Sequence, residues 1–204
     1  MTNNIIPLFP LNMVVFPKEN ISLHIFEDRY KKMISNCIST KSEFGIIFKK
    51  NNRIVDVGCT VKVDKILKTY SSGELDITLF GMERFKVLDK FKKDDLLFAN
   101  ISKIDEAYDL VDKKSFSIIL DKYLKLLLSF NIKHDIRNEM NKNISFDFTK
   151  SVIIPSLIKQ EFLELSNESE RIDFIDLFLD SVINNSNSNS NSNNLFAQSK
   201  NLYN

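Results

Sequence analysis

The chain has 204 residues, of which 43% are hydrophobic and 27% are charged, so it can bury the core of one full domain or of two small ones. Its 28 Lys and Arg residues against 27 Asp and Glu residues leave a formal net charge of +1. That balance provides no long-range field for a polyanion, which argues against a dedicated nucleic-acid binder. The glycines are too few and too far apart to form a Walker A or Rossmann phosphate-binding loop, so both of these nucleotide sites are excluded.

The cysteines and histidines form no recognisable disulfide or metal motif. Cys37 and Cys59 are too few for a disulfide framework, and His24 and His134 have no partner at metal-ligand spacing. We therefore expect no metal site and no cofactor, and we expect both cysteines to be small buried residues. The amino terminus lacks a secretory signal, and no apolar run approaches the ~20 residues that span a bilayer. A soluble, cytoplasmic protein is expected.

The amino-terminal segment is predicted to contain short strands interrupted by proline. Apolar residues cluster at 5–10, 13–17 and 21–25, and proline confines such strands to sheet ends or edges. Within 21–25 apolar residues alternate with polar ones, which is the period of a half-buried strand. His24 is therefore expected on the polar face of that strand.

One helix and several further strands are predicted next. The helix is indicated by apolar residues at helical spacing, namely Phe26, Tyr30, Met33, Ile34, Cys37 and Ile38. Alternating apolar residues then predict strands over 44–48, 55–63, 75–79, 85–87 and 97–101. Turns are predicted at 49–53, 71–73 and 81–84. Six or seven short strands around one helix indicate a twisted, partly closed β-domain.

The second half of the chain is predicted to be helical. A long apolar stripe runs from Phe116 to Leu128 at helical spacing. A short helix from Phe148 is expected to stop before Pro155, because the residue before a proline disfavours the α region. Asn167 and Glu170 stand at capping-box spacing, ahead of a further apolar helical face that runs to residue 182.

The composition changes abruptly at Asn184. Residues 184–194 are only Asn and Ser, a composition that cannot bury enough apolar area to offset its ordering entropy. The predicted class is therefore α+β, with a β-domain over 1–108, a helical subdomain over 109–183, and a flexible tail with a short apolar end over 184–204.

Three passages, in this order along the chain, resemble the amino-terminal domain of the Lon protease family. Residues 6–30 contain IPLFPL, VVFP and LHIFEDRY, similar to the family's opening LPL, VVFP and PL-IFE-RY run. Residues 57–59 and 79–85 resemble its VG strand and GxxR hairpin. Residues 159–171 resemble its KQELLELxDxxER segment, with Asn167 in place of the aspartate; either residue type can cap a helix.

This resemblance implies a PUA-like β-domain followed by a helical subdomain, in agreement with the class predicted from the patterns. It also implies the substrate-recognition part of the family standing alone, because a chain that ends at Asn204 has no room for the ATPase module or the Ser–Lys peptidase domain. We therefore expect a non-catalytic protein. The implied partners are unfolded or exposed apolar segments of client proteins, and an ATP-dependent protease is left open as a working partner.

A module that holds apolar segments needs exposed apolar or adaptable side chains on a rigid frame. Phe16 and Pro17, in a loop between the proline-interrupted strands, and Met82, at the predicted turn 81–84, are the candidate substrate-binding residues. The alternative is that Phe16 belongs to the core and Met82 is an ordinary turn residue. Arg84 is expected to stabilise the hairpin by a salt bridge or a backbone contact.

Other functions stay open at this point. The basic segments 49–53 and 90–93 could contact RNA, as PUA-like folds do in RNA-modifying systems, although Asp94 and Asp95 follow the second segment directly. The apolar end of the tail could instead dock an adaptor onto a larger ATPase or protease. A hydrolase is not expected, because no GxSxG or HExxH motif occurs.

Overall fold

The computed structural model describes residues 4–106, 113–129, 136–149 and 154–188. The chain divides into two compact units, residues 1–105 and 106–204. The described part of the first unit is a mixed β-sheet with one long helix, and that of the second unit is helical. The predicted α+β class is thereby confirmed. No helix in these described ranges is both long and apolar enough to span a membrane.

The strands of the first unit are long and form one mixed sheet. Their bounds are Ile5–Leu11 (β1), Asn20–Ile25 (β2), Phe44–Lys50 (β3), Arg53–Thr69 (β4), Leu75–Lys93 (β5) and Leu96–Lys103 (β6). Helix α1, Asp28–Thr40, lies between β2 and β3 in the sequence. Within the described residues the sheet order is β2-β5-β4-β3-β1-β6, and β1 and β3 are the parallel neighbours.

Strand β5 closes this sheet on itself. Its residues 75–80 pair with β2, and its residues 85–93 pair with β6, which is also the neighbour of β1. The strands β1, β3, β4, β5 and β6 therefore form a barrel, and β2 extends the sheet beyond it. This arrangement agrees with the predicted twisted, partly closed β-domain.

Two apolar clusters hold the unit together. One joins side chains of the barrel strands: Leu8, Ile47, Phe85, Val87, Ala99 and Ile101. The other packs α1 against the sheet through Tyr30, Met33, Ile34 and Cys37. The rings of Phe9 and Tyr30 stack there with centroids 4.0 Å apart. The predicted apolar stripe of α1 is thus largely its buried face.

The stripe differs from the prediction at its first position. Phe26 is 61% exposed and precedes the helix, because Glu27 has an extended backbone (φ −71°, ψ 131°) at the N-cap. The last position, Ile38, is exposed on the outer side of the final turn. Local spacing therefore identified the helix correctly, but the first and last residues of the predicted stripe, Phe26 and Ile38, do not belong to its buried face.

The predicted turn at residues 81–84 is wrong, since β5 runs through it without reversing. From Cys59 to Val61 strand β4 advances by two residues, whereas their partners, Arg84 and Gly81, are three residues apart. The extra residue on β5 forms a β-bulge, which bends a strand locally but does not reverse it as a turn does. A glycine with charged residues two and three positions later, as in Gly81 to Arg84, is compatible with either a turn or a bulge, and only the pairing distinguishes them.

The second unit contains the remaining helices. Among its described residues these are Lys113–Ser129 (α2), Ile136–Met140 (α3), a 3₁₀ helix Ser145–Thr149, Ser156–Glu164 (α4) and Glu168–Ser188 (α5). The predicted stripe of α2 buries Ile119, Tyr123 and Leu127, whereas Leu128 is exposed.

The helix expected from Phe148 to the residue before Pro155 falls mostly on residues that the structure does not describe. Phe148 lies in the 3₁₀ helix, and residues 150–153 lie outside the described residues. Helix α4 begins directly after Pro155. Proline suits this position because its missing N–H would have no partner in the first turn of a helix.

Helix α5 begins at the predicted cap. Asn167 Oδ1 accepts a hydrogen bond from the Glu170 N–H at 2.9 Å, and Glu170 Oε2 accepts one from the Ser166 N–H at 2.9 Å. The helix continues to Ser188 and so includes the start of the predicted tail, because each added residue extends a formed helix by one hydrogen bond. The rest of the tail, residues 189–204, lies outside the described residues.

Candidate functional site

Phe16 and Pro17 are buried, so they lack the exposure on which their selection as binding residues depended. Phe16 is 1% exposed, and its N–H donates to Glu19 Oε2 at 2.8 Å. The loop is fixed to β5, since the Lys18 N–H donates to the Gly81 carbonyl and the Gly81 N–H donates to the Glu19 carbonyl, both at 2.8 Å. The alternative prediction, that Phe16 belongs to the core, matches its position.

The structure does bring the loop and the segment around Met82 together, through these bonds to Gly81. Met82 is half-buried within the bulge of β5. Arg84 is fully buried, and its carbonyl accepts a hydrogen bond from the Ile104 N–H at 3.0 Å. This part of the unit therefore presents little apolar surface to a partner.

The basic segments considered for RNA lie on the surface. Residues 49–53 form the exposed end of the β3–β4 hairpin, and Lys92 and Lys93 are exposed near the end of β5. Lys90 Nζ forms an ion pair with Asp56 at 2.7 Å, and Asp94 follows Lys93 directly. Both signs of charge are therefore mixed along this part of the sheet.

The cysteines and His24 are placed as predicted. Cys37 and Cys59 are free and buried, and burial raises the pKa of both thiols, so neither is a ready nucleophile. His24 is exposed, with Nδ1 2.6 Å from Asp76 Oδ1. In the part of the chain that the structure describes, no group of three or more His, Cys, Asp or Glu residues is close enough to hold a metal ion.

A cleft of about 500 Å³, which we call the α1–β6 cleft, lies between α1 and the strands β1 and β6. Its apolar lining consists of Pro7, Met33, Cys37, Leu96 and Phe98. Pro7 and Phe98 are register partners, and Phe98 pairs in turn with Phe91, with ring centroids 5.8 Å apart. These three side chains form an apolar row across β1, β6 and β5 that ends at the partly exposed Phe91.

Charged groups of both signs form the rim of the α1–β6 cleft. Arg29 and Lys32 line it from α1, and Asp94 and Asp95 line it from the β5–β6 turn. The two aspartates have φ values of 49° and 60°, the left-handed geometry of a tight hairpin turn. Arg29 Nη2 forms an ion pair with Glu27 at 2.7 Å, which holds the guanidinium beside the cleft. Such a site can enclose an apolar side chain while polar flanking groups stay at the water boundary.

This cleft was not predicted from the sequence, although the residues of β6 carried a signal for it. The alternation of Leu97, Ala99 and Ile101 predicted this strand, and these three residues pack in the barrel cluster. Leu96 and Phe98 are apolar on the opposite face. Apolar residues on both faces of a strand indicate that both faces meet other parts of the protein or a partner.

Comparison with known families identifies the fold. The model of the "ATP-dependent protease La (LON) substrate-binding domain" matches residues 5–181, which include all the strands described above and most of α5. The chain belongs to this family. The resemblance to Lon proteases predicted from the sequence is thereby confirmed, and the matched part of the family is its substrate-binding domain.

Solved structures of Lon amino-terminal domains share the fold of this LON domain. The crystal structure of a Lon N-terminal domain protein from Xanthomonas campestris is 20% identical, with a TM-score of 0.68, over 83% of this chain and 95% of that chain. The N-terminal domain of the Mycobacterium avium complex Lon protease is 14% identical, with a TM-score of 0.72, over 87% of this chain and 98% of that chain. At these identities the likeness is one of fold.

Proposed function

We propose that this LON domain is a non-catalytic recognition module that holds exposed apolar segments of client proteins, with an apolar client side chain in the α1–β6 cleft. The observation that carries the proposal is the cleft itself, whose apolar floor includes Met33 and Phe98. Unfolded chains differ from folded ones mainly in displaying residues that are normally buried, and an apolar cleft selects for that difference. In the same proposal, a client is then passed to an ATP-dependent protease.

The expected strength of such a contact suits transient holding. Burial of one large apolar side chain contributes about 1.5–3 kcal/mol. Against the loss of translational and rotational freedom on association, that contribution alone gives only a weak and reversible complex. A client that is held for longer must therefore contact the domain at more than one place.

The chemistry of the rim supports binding and not catalysis. A nucleophilic mechanism needs a nucleophile and a base within hydrogen-bonding reach of each other. The groups around this cleft are the ion-paired guanidinium of Arg29, the ammonium of Lys32, the carboxylates of Asp28, Asp94 and Asp95, and the Ser42 hydroxyl, and the thiol of Cys37 is buried with a raised pKa. Ser42 Oγ lies 2.9 Å from another hydroxyl, Thr40 Oγ1, and Asp28 forms an ion pair with Lys31 at 2.8 Å. These groups suit the recognition of polar residues that flank an apolar one.

The test measures binding of a labelled, reduced and alkylated lactalbumin, which stays unfolded, against native lactalbumin by fluorescence anisotropy. The unmodified domain is expected to bind only the unfolded form. Phe98→Glu places a carboxylate on the cleft floor and is expected to weaken binding by about tenfold or more. Leu96→Gln is a milder second variant, in case Phe98→Glu lowers stability.

The matched control is Leu88→Glu, on the same ribbon of β5 and β6 but outside the cleft, where the side chain is 62% exposed. This variant is expected to bind within about twofold of the unmodified domain. Thermal melting establishes that each variant is folded. No binding of the unfolded protein by the unmodified domain would refute the recognition function. Equal binding by folded Phe98→Glu and Leu96→Gln would refute the location.

A further inference from the structure

Among the residues that the structure describes, strand β4 is paired on only one side beyond Val61. Strand β3 pairs with β4 from Lys50↔Arg53 to Phe44↔Val61, and there its pairing ends. Strand β4 continues to Thr69, paired with β5 alone among the described residues. Residues 62–69 therefore form a free sheet edge, a geometry to which an extended peptide can add as a further strand.

The hydrogen bonds of Gly81 indicate which backbone groups face this edge. The Gly81 N–H and C=O bond to the loop 16–19 and so point away from β4. Its register partner, Val61, must then direct its own groups away from β5, toward β3. Because this direction alternates along an antiparallel strand, the N–H and C=O of Val63 point the same way as those of Val61, where no described strand pairs with them.

A second cleft, of about 330 Å³, lies along this edge and is called the β4-edge cleft. Its apolar lining includes Ile38 at the end of α1, Val63, and Ile66, which is 49% exposed. An added strand would therefore meet apolar surface beside the free backbone groups.

The β4-edge cleft has an excess of positive charge. Lys41, Lys62 and Lys65 line it together with a single described acid, Asp64. Asp64 Oδ2 accepts a hydrogen bond from Thr78 Oγ1 at 3.2 Å, and neither Lys41 nor Lys65 forms an ion pair with any described residue. The charge complementary to this edge is that of an acidic peptide segment.

The lysines also disfavour pairing of this edge with the same edge of a second copy of the chain. Two register shifts, near Asp64 and near Leu67, interrupt β4 and limit an added strand to a few residues. Edge lysines and bulges are features that prevent pairing between copies of a protein. A second copy would bring like charges together, whereas an acidic segment would neutralise them, so the same features discriminate between the two occupants.

The two clefts adjoin at the carboxyl end of α1. Cys37 and Ser42 line both of them. A single polypeptide can therefore place an apolar side chain in the α1–β6 cleft and continue toward the free edge of β4. Such an arrangement would supply the second contact that one buried side chain alone lacks.

We propose that an extended, acidic segment of a client polypeptide adds to the free edge of β4 over residues 62–66 as a short extra strand. Backbone hydrogen bonds supply affinity without demanding a particular client sequence, and the lysines select for acidic flanks. This inference rests on the proposed function, because its ligand is a client polypeptide.

The probe is a short fluorescein-labelled peptide that alternates valine with glutamate, compared by anisotropy with its valine–lysine counterpart. The glutamate peptide is expected to bind about tenfold more tightly or better, since opposite charges attract across the edge. Two further glutamate peptides carry backbone N-methyl groups on one or the other set of alternate residues. Only one set faces β4, so one methylated peptide is expected to lose about tenfold in affinity while the other binds normally.

The location is tested with Lys62→Glu/Lys65→Glu, which is expected to reverse the preference for the glutamate peptide. The matched control is Lys49→Glu/Lys50→Glu, at two exposed lysines beside the β3–β4 turn, which is expected to keep the preference. Strand addition at this edge would be overturned by any of three results. These are no binding of the glutamate peptide, unchanged binding of both methylated peptides, or the same effect of both double variants. Continued binding of unfolded lactalbumin in any of these cases would leave the proposed function intact, and failure to bind it would refute that function separately.

Discussion

The carbonyl oxygen of Phe16 lies 2.1 Å from the position that a Cβ atom would occupy on Gly81. Real Cβ atoms do not approach an oxygen this closely, so no other residue fits there unless the loop 16–19 moves. The loop is held in place by the bonds of Lys18 and Glu19 to the main chain of Gly81. Glycine is required at this position for a close backbone approach within a strand.

Gly81→Ala is accordingly expected to lower the free energy of unfolding by about 3 kcal/mol, through overpacking and the weakening of two hydrogen bonds. Urea unfolding followed by circular dichroism measures the change. Gly73→Ala is the comparison, because Gly73 has a φ of 81° but a Cβ there would meet only Lys31 Nζ, at 3.9 Å. Gly73→Ala is expected to lower the free energy of unfolding by about 1 kcal/mol. Equal losses for the two variants would contradict the close-approach argument.

Asp76 gives the first unit a predictable response to acid. The His24 imidazole and then the Tyr70 hydroxyl, which donates to Asp76 Oδ2 at 2.8 Å, hold the pKa of the Asp76 carboxyl below its ordinary value. A group whose pKa is lower in the folded state stabilises the protein above its unfolded pKa, and this stabilisation is lost as the pH falls through the folded pKa.

The expected result is that Asp76→Asn loses less stability than the unmodified protein between about pH 5 and pH 3, where carboxylates titrate. Urea unfolding at several pH values in this interval measures the slopes. Asp94→Asn, at an exposed turn position of the same unit, is expected to follow the unmodified protein. Parallel curves for Asp76→Asn and the unmodified protein would show that Asp76 does not contribute.

Two substitutions of Asn167, the cap of α5, distinguish the contribution of its side-chain oxygen to stability from that of a charge at this position. Asn167→Ala removes the oxygen that accepts the Glu170 N–H and is expected to lower stability by about 1 kcal/mol. Asn167→Asp keeps the acceptor and is expected to change stability by less than about 0.5 kcal/mol. Thermal unfolding of both variants measures the effect, and similar losses in both would show that the cap depends on more than the acceptor.

A buried ionic cluster holds the second unit together around Arg171. The Arg171 guanidinium is fully buried, and its Nη2 lies 2.9 Å from carboxylate oxygens of both Glu106 and Glu168. Its Nε donates to Ser145 Oγ at 3.0 Å. Three chain segments that are distant in sequence are thereby joined at one side chain.

Arg171→Met is expected to lower the free energy of unfolding by about 3–5 kcal/mol, because it removes the guanidinium that lies against the buried Glu168 carboxylate. The comparison is Lys125→Met, which removes an exposed pair with Asp121 on α2 and is expected to lose no more than about 0.5 kcal/mol. Chemical denaturation measures both. A loss for Arg171→Met as small as that of the control would mean that the cluster contributes little net stability.

Local periodicity predicted the elements of this fold well. The spacing of Tyr30, Met33, Ile34 and Cys37 identified the buried face of α1, and alternation identified most strands, because both signals depend on neighbours in sequence. The continuity of β5 was missed, because whether Gly81 lies in a turn or in a bulge depends on its pairing with β4 and on the loop 16–19. Pairing of that kind has no local signal.

The candidate site was less predictable for the same reason. Phe16 is buried because its loop folds onto a strand distant in sequence, and local composition does not report that contact. The α1–β6 cleft brings Met33 together with Phe98, through a barrel in which Pro7 pairs with Phe98. The apolar residues on both faces of β6 were visible in the sequence, but the surface that they form depends on closure of the sheet.

The pairing of β1 with β6 also constrains how the protein is made. Ile5 pairs with Asn100, so during synthesis β1 leaves the ribosome well before β6, the strand with which it pairs. Contacts between residues so distant in sequence make folding slow, because the intervening chain must first be brought into a loop. Until Leu96 and the residues after it emerge, the nascent barrel has open edges at β1 and β5, which makes the half-synthesised chain itself a potential client of chaperones.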